Sequence, residues 1–165
     1  MFGVVAGWLE EEMRNHGVNP PQRWDMMREH ILAMKEIWTH EEAEFHGDYV
    51  DFDPIWMWPK TSPPILIGGF GPRLLQMVAE LGDGWLAVVT ERAEFEESIA
   101  TLNRACQDVG RPMIEVTACL FEADERLLDA CAEHGVRRCA LLAPTHDRAA
   151  FESFLDKCTR LGHQF

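Results

Sequence analysis

Two short runs of unbroken apolar residues, Ile65 to Ile67 and Trp85 to Val89, stand on either side of a segment with a helical period. Continuous apolar runs of this length suit parallel strands buried on both faces. Between them Leu74, Leu75, Val78 and Leu81 fall on one helical stripe, Pro72 suits a first helical position, and Gly82 ends the helix. Gly68, Gly69 and Gly71 join the first strand to the helix, so the stretch predicts a β-loop-α-β unit. Upstream, Phe2 to Ala6 reads as the end of a strand. Glu10 to Glu12 open a short helix stopped by Gly17, and Asn19 is placed to cap a helix beginning at Pro20. That helix carries Trp24, Met27, Ile31, Met34 and Trp38 at alternating spacings of three and four, a stripe better suited to core than to a cofactor. Phe45 and Tyr49 to Phe52 flank His46-Gly47-Asp48 as a small hairpin, followed by an irregular aromatic segment, residues 54–60.

Downstream the alternation continues. Glu91 to Asp108 is a helix with Phe95, Ile99, Leu102 and Cys106 on one face, and residues 114–121 alternate as a strand. Asp124 caps a helix carrying Leu127, Leu128 and Cys131, Cys139 to Ala143 form the last strand, and Asp147 to Leu161 the last helix. In that helix Phe151, Phe154, Leu155 and Cys158 are expected to face inward. Strands alternating with helices imply a parallel sheet with helices outside it, either open and doubly wound or part of a barrel.

The glycine loop is the main candidate for chemistry. At the carboxyl end of a parallel strand and the amino end of a helix, exposed N–H groups and the helix dipole converge, and a phosphate suits them. A tight turn with no ligand is the alternative. Neither common nucleotide motif fits: no Lys-Ser/Thr pair follows the last glycine, and Leu74 stands where a dinucleotide fingerprint has its third glycine. Trp56, Met57 and Trp58 are assigned to packing against the core or a subunit in preference to substrate contact. None of the histidines falls in a metal-binding pattern, and no nucleophile elbow occurs. His146 and Asp147 follow a strand end and are weak catalytic candidates, with helix capping the better role for Asp147.

A formal charge of −13, from 28 acidic and 15 basic residues, argues against nucleic-acid or anionic-membrane partners. Five cysteines without a C-x-x-C pair predict reduced thiols in a cytoplasmic protein. No apolar run approaches the ~20 residues of a membrane span, and Met1 to Trp8 does not read as a signal peptide.

Several short motifs occur in a fixed order: Gly3-x-x-Ala6-Gly7-Trp8, Ile37-Trp38, Phe45-x-Gly47-x-Tyr49 with Phe52, Pro63-Pro64-Ile65-x-Ile67-Gly68-Gly69-x-Gly71, Gly82-Asp83-Gly84-Trp85 and Gly110-Arg111-Pro112. Together they resemble the bacterial luciferase-like monooxygenase family, in particular its deazaflavin (coenzyme F420) dependent oxidoreductase branch, over nearly the whole chain. The resemblance implies one domain over residues 1–165, a (β/α)8 barrel with an insertion at 41–64, and cofactor binding at the carboxyl ends of the strands. F420, or FMN as the alternative, would lie with its phosphate on Gly68, Gly69 and Gly71, and beside Ala6, Gly7 and Trp8. Val5 stands where the family usually has glycine. Hydride transfer to or from a small organic substrate is the implied reaction. The family barrel is longer, a TIM barrel typically needing ~250 residues, so the resemblance implies a partial barrel without the first three strands and most of the fourth. Its exposed edges predict a homo-oligomer or a companion chain. The competing expectation is a non-catalytic half-barrel that acts only through assembly.

Overall fold

The structure is a computed structural model that describes residues 1–144 and 147–162. In chain order it contains β1 (Phe2–Val5), α1 (Glu10–Asn15), α2 (Arg23–Thr39), β2 (Ala43–His46), β3 (Asp51–Ile55), β4 (Ile65–Gly68) and α3 (Pro72–Leu81). There follow β5 (Gly84–Val88), α4 (Arg92–Asp108), β6 (Glu115–Leu120), α5 (Glu125–Glu133), β7 (Arg138–Leu141) and α6 (Arg148–Gly162). Strands β1, β4, β5, β6 and β7 form one parallel sheet in that order, and β2 and β3 form a separate antiparallel hairpin.

Each new strand of the sheet is added at the same edge, with no reversal of direction across the sheet. That order is a barrel sector, and it excludes the doubly wound alternative, which needs a switch point. Curvature agrees. In a flat sheet four inter-strand spacings of ~4.8 Å would separate β1 from β7 by ~19 Å, further than an arginine and a methionine side chain span together. Here the Arg138 Nη1 group at the start of β7 reaches Met1 Sδ at 2.9 Å. The chain is a partial (β/α)8 barrel, with five parallel strands and helices along the outside.

The two faces of the sheet differ as the barrel requires. Ile65, Ile67, Trp85, Ala87, Val116, Ala118 and Leu120 are buried beneath the helices. Strand registry places Gly3, Leu66, Gly84 and Glu115 in one row on the opposite, concave face, and Val5, Gly68, Leu86, Thr117 and Arg138 in the next. Val5 and Val88 are exposed there.

Helix α3 is fully integrated, with Leu74, Leu75, Met77, Val78, Ala79 and Leu81 buried. Its carbonyl end is held by two cations, as its dipole favours. Lys35 Nζ donates to Leu81 O at 2.6 Å, and Arg111 Nη1 donates to Ala79 O at 3.1 Å and Gly82 O at 3.0 Å. The Gly110-Arg111-Pro112 motif thus ends α4 and clamps α3. Asp83 fixes the start of β4: its N–H donates to Ile65 O at 2.8 Å, and its Oδ2 accepts from Ile65 N at 2.9 Å.

Three local expectations change. Asn19 does not cap α2: Pro20–Gln22 form a 3-10 turn closed by Gln22 N donating to Asn19 O at 2.9 Å, and α2 starts at Arg23. Two adjacent prolines enter this turn without amide donors. Of the two roles expected for Trp56 and Trp58, cover for the core is not the one adopted within this chain, where they are 66% and 67% exposed; contact with a subunit stays an expectation. In α6, Leu161 is buried and Phe154 and Cys158 are half-buried, whereas Phe151 and Leu155 are exposed. The helix follows edge strand β7, beyond which the sheet has no further strand, and part of its apolar stripe stays open. A cavity of about 570 Å³ opens between α5, β7 and α6, lined by Cys131, Cys139, Cys158 and Leu161 among others.

Of the cysteines, Cys106 and Cys131 are buried, Cys119 and Cys158 half-buried, and Cys139 exposed; all are free thiols. Burial, with the neighbouring Cys139 thiol, pushes Cys131 up to about 12. Asp124 caps α5 by accepting from Arg126 N at 2.9 Å. The Asp147 carboxylate accepts from Ala149 N and Ala150 N at 3.1 and 3.3 Å, the geometry of a cap. His146 lies outside the described residues. Among the described residues no helix is long and apolar enough to cross a membrane, and no group of three or more His, Cys, Asp or Glu is placed to hold a metal.

Candidate cofactor site

Parallel pairing brings the carboxyl ends of all five strands to one rim, and the register of β1 with β4 sets Val5 opposite Gly68. Ala6, Gly7 and Trp8 therefore leave β1 beside the turn that leaves β4 as Gly68, Gly69 and Gly71. The two predicted groups are brought together, with Trp8 86% exposed at the rim.

Each glycine of the loop has its own local cause. A Cβ on Gly68 would stand 2.7 Å from Val5 Cγ1 and 3.4 Å from Leu86 Cδ2, so the valine at position 5 fills the space that a side chain at 68 would need. Gly69 has φ +129°, and its Cβ would meet Leu74 Cδ1 at 3.0 Å. Gly71 has φ +93°, in the left-handed region that disfavours side chains. Unlike the other two it faces open space, with nothing within 4 Å of a Cβ built on it.

The turn is held from below. Trp85, buried at 2% exposure and stacked on Phe95 of α4, donates its indole Nε1–H to Gly69 O at 2.9 Å. Gly69 N donates to Leu86 O at 3.3 Å, continuing the ladder. Among the described residues the N–H groups of Phe70 and Gly71 have no protein partner, and α3 begins at Pro72 without a side-chain cap. The open donors thus lie one step further along the loop than Gly69, on Phe70, Gly71 and the first turn of α3. Sequence reading passed over Phe70 and Trp85 as site residues. The Gly-x-Gly spacing draws attention to the glycines, while the residue between them supplies a donor whatever its side chain.

Beside the loop lies a cavity of about 500 Å³, bounded by Phe70, Gly71 and Pro72 on one side and by Glu91, Glu94, Glu97, Ser98 and Thr101 on the other. It contains no basic side chain, and among the described residues those three glutamates have no ion-pair partner. Arg73 points elsewhere, donating to Asp25 Oδ1 at 2.5 Å. An anion on this loop would be held by backbone dipoles alone.

The model of the luciferase-like monooxygenase family matches residues 1–156. The chain belongs to that family. It is 35% identical over 113 residues to an uncharacterised protein of Mycobacterium tuberculosis, a match covering 66% of this chain and 40% of that one. To the FMNH2-dependent dimethylsulfone monooxygenase of Pseudomonas putida it is 32% identical over 87 residues, 48% of this chain and 24% of the other. Among solved structures, an F420-dependent secondary alcohol dehydrogenase in complex with an F420-acetone adduct superposes with a TM-score of 0.64 at 17% identity, covering 96% of this chain and 60% of that one. The chain thus spans less than half the length of these two curated relatives. The named relatives include F420-dependent dehydrogenases and monooxygenases that use FMNH2 or are solved in complex with FMN.

Proposed function

We propose that this chain carries the phosphate-holding part of an F420-dependent oxidoreductase site, with FMN as the alternative cofactor. The observation that carries this reading is the uncapped amino end of α3, which opens at Gly71 onto free space at the carboxyl rim of the sheet. A phosphate fits such a donor set: backbone N–H groups and a helix dipole stabilise it without a cationic side chain. The residues fit the group, since a loop built from glycines leaves the backbone open to close approach. When bound, the deazaflavin or flavin supplies hydride chemistry toward an organic substrate, and the protein supplies orientation and exclusion of water. Phe70, Gly71 and the first turn of α3 donate to the phosphate. Trp85 holds the loop in place through Gly69 O, and Ala6, Gly7 and Trp8 border the site from the neighbouring strand.

Titration of the chain with F420 and FMN in parallel tests this. Saturable binding of one of them is expected, weakened at least tenfold in Gly71→Val while the thermal melting curve still shows a folded chain. Absence of binding by both cofactors overturns it.

A second reading has its own support. The exposed concave residues Val5 and Val88 and the unpaired outer edges of β1 and β7 favour a half-barrel that works through assembly with a second copy or a companion chain. Cofactor binding by the isolated chain separates the two.

A further inference from the structure

The carboxyl rim is apolar at every strand of the sheet. One large exposed apolar side chain stands at or just beyond each strand end: Trp8 after β1, Phe70 after β4, Val88 in β5, Phe121 after β6 and Leu142 after β7. Among the last three lies a cavity of about 230 Å³, completed by Cys119, Leu120, Ala140 and Leu141. Its lining contains no charged side chain and no hydroxyl or amide side chain. Two backbone donors beside it are already used, Val89 N donating to Cys119 O and Leu142 N to Leu120 O, each at 2.9 Å.

The charged groups of the same concave face lie toward the other end of the strands. Glu115 opens β6, four residues or ~13 Å of strand from Cys119. Arg138 opens β7 and turns to Thr117 Oγ1 and Met1 Sδ, at 3.3 and 2.9 Å. An anion entering the cavity would lose its hydration with no charged or polar side chain to replace it, whereas an uncharged hydrocarbon group loses nothing polar. The cavity also adjoins the glycine loop: Gly68 is in register with Leu86, and Val88 lies two residues further along β5.

We propose that this cavity seats the hydrocarbon part of a small uncharged organic substrate next to the cofactor, and that it discriminates against sugar phosphates and other anions. The inference rests on the cofactor reading above, since only a cofactor on the glycine loop makes the neighbouring seat a reaction site.

The test uses the full chain with labelled valine and leucine methyl groups and amides, followed by NMR. Three ligands are titrated separately: cyclohexanone, glucose 6-phosphate, and the cofactor (F420, then FMN). Saturable cyclohexanone shifts are expected at the Val88 and Leu142 methyls, with none from glucose 6-phosphate. The cofactor is expected to shift the Phe70 and Gly71 amides and to leave cyclohexanone bound. Ala140→Asp, on the exposed face of the edge strand, should weaken cyclohexanone at least tenfold; Val88→Thr, which keeps the shape, should weaken it about threefold. No saturable cyclohexanone shift, equal shifts from the sugar phosphate, or displacement of cyclohexanone by the cofactor ring overturns the inference. Cyclohexanone binding without any cofactor shift at Gly71 instead overturns the cofactor reading and leaves the seat standing.

Discussion

Glu29 shows how one side chain can organise a distant turn. Its carboxylate accepts from Asp48 N and Val50 N, each at 2.8 Å, and also from Tyr49 N, tying α2 to the hairpin loop. Desolvation acts to raise its pKa, but the three backbone donors together outweigh it and hold the group below the ordinary 4.5. A depressed folded value means stabilisation that is complete above about 4.5 and is lost as pH falls through the folded value. On the hairpin itself His46 is raised above 6.5, chiefly by its hydrogen bond to the Asp51 carboxylate at 2.6 Å. Its contribution is therefore complete below 6.5 and is lost as pH rises through the folded value. Both act fully between about 4.5 and 6.5, so the protection factors of the amides at 48–50, exchange rates corrected for the intrinsic pH dependence, should be highest in that window. Glu29→Gln should lower the protection factors at pH 6, with the difference from the wild type shrinking as pH falls through the lowered folded value; equal protection at pH 6 would remove Glu29 from this role. Gly47 is constrained by the same carboxylate, since a Cβ there would lie 2.4 Å from it. A second residue-scale prediction concerns Trp85→Phe. It keeps most of the packing on Phe95 but removes the bond to Gly69 O, and should cost about 1 kcal/mol of stability in denaturant unfolding. Cofactor affinity should fall with it.

At the scale of elements, α3 gathers most of what the site needs. One end presents open donors to the rim and the other is held by Lys35 and Arg111. Arg111→Ala leaves the carbonyls of Ala79 and Gly82 without their charged donor, and should lower stability by roughly 2 kcal/mol, the scale of a hydrogen bond to a charged group. A melting curve unchanged from the wild type would contradict that role. Helix α4 contributes the opposite sign of charge: Glu94 and Glu97 face the cavity beside the loop. A cofactor held on the loop and continuing beyond its phosphate into an anionic tail would bring that tail toward these carboxylates, and one ending at the phosphate would not. Glu94→Gln/Glu97→Gln should therefore raise the affinity for F420 more than that for FMN, with the difference shrinking in ~1 M salt; equal effects on both would place the tail elsewhere.

For the whole molecule, one face of the sheet is buried under helices while the concave face and both outer edges are open. A dye that reports apolar surface should bind the isolated chain, and light scattering should detect a species larger than 18.9 kDa. A monodisperse monomer that leaves the dye dark would count against assembly.

Much of this was legible in the sequence because it is local. The buried strands at 65 and 85, the α3 stripe, the glycine turn and the Asp124 cap follow from periodicity and backbone preference, which neighbouring residues settle among themselves. The ordered motifs carried the family in the same way. What only the tertiary structure decided depends on strand order and packing across distance. Whether the sheet was doubly wound or barrel-like follows from which edge receives each strand, and no local pattern encodes that. The reason for Gly68 lies in Val5, far away in sequence and opposite it in the sheet. Phe151 and Leu155 have the spacing of a buried stripe, but their exposure is set by how much of the fold covers an edge helix. Periodicity specifies which face of an element is apolar; only the packed molecule determines what, if anything, lies against it.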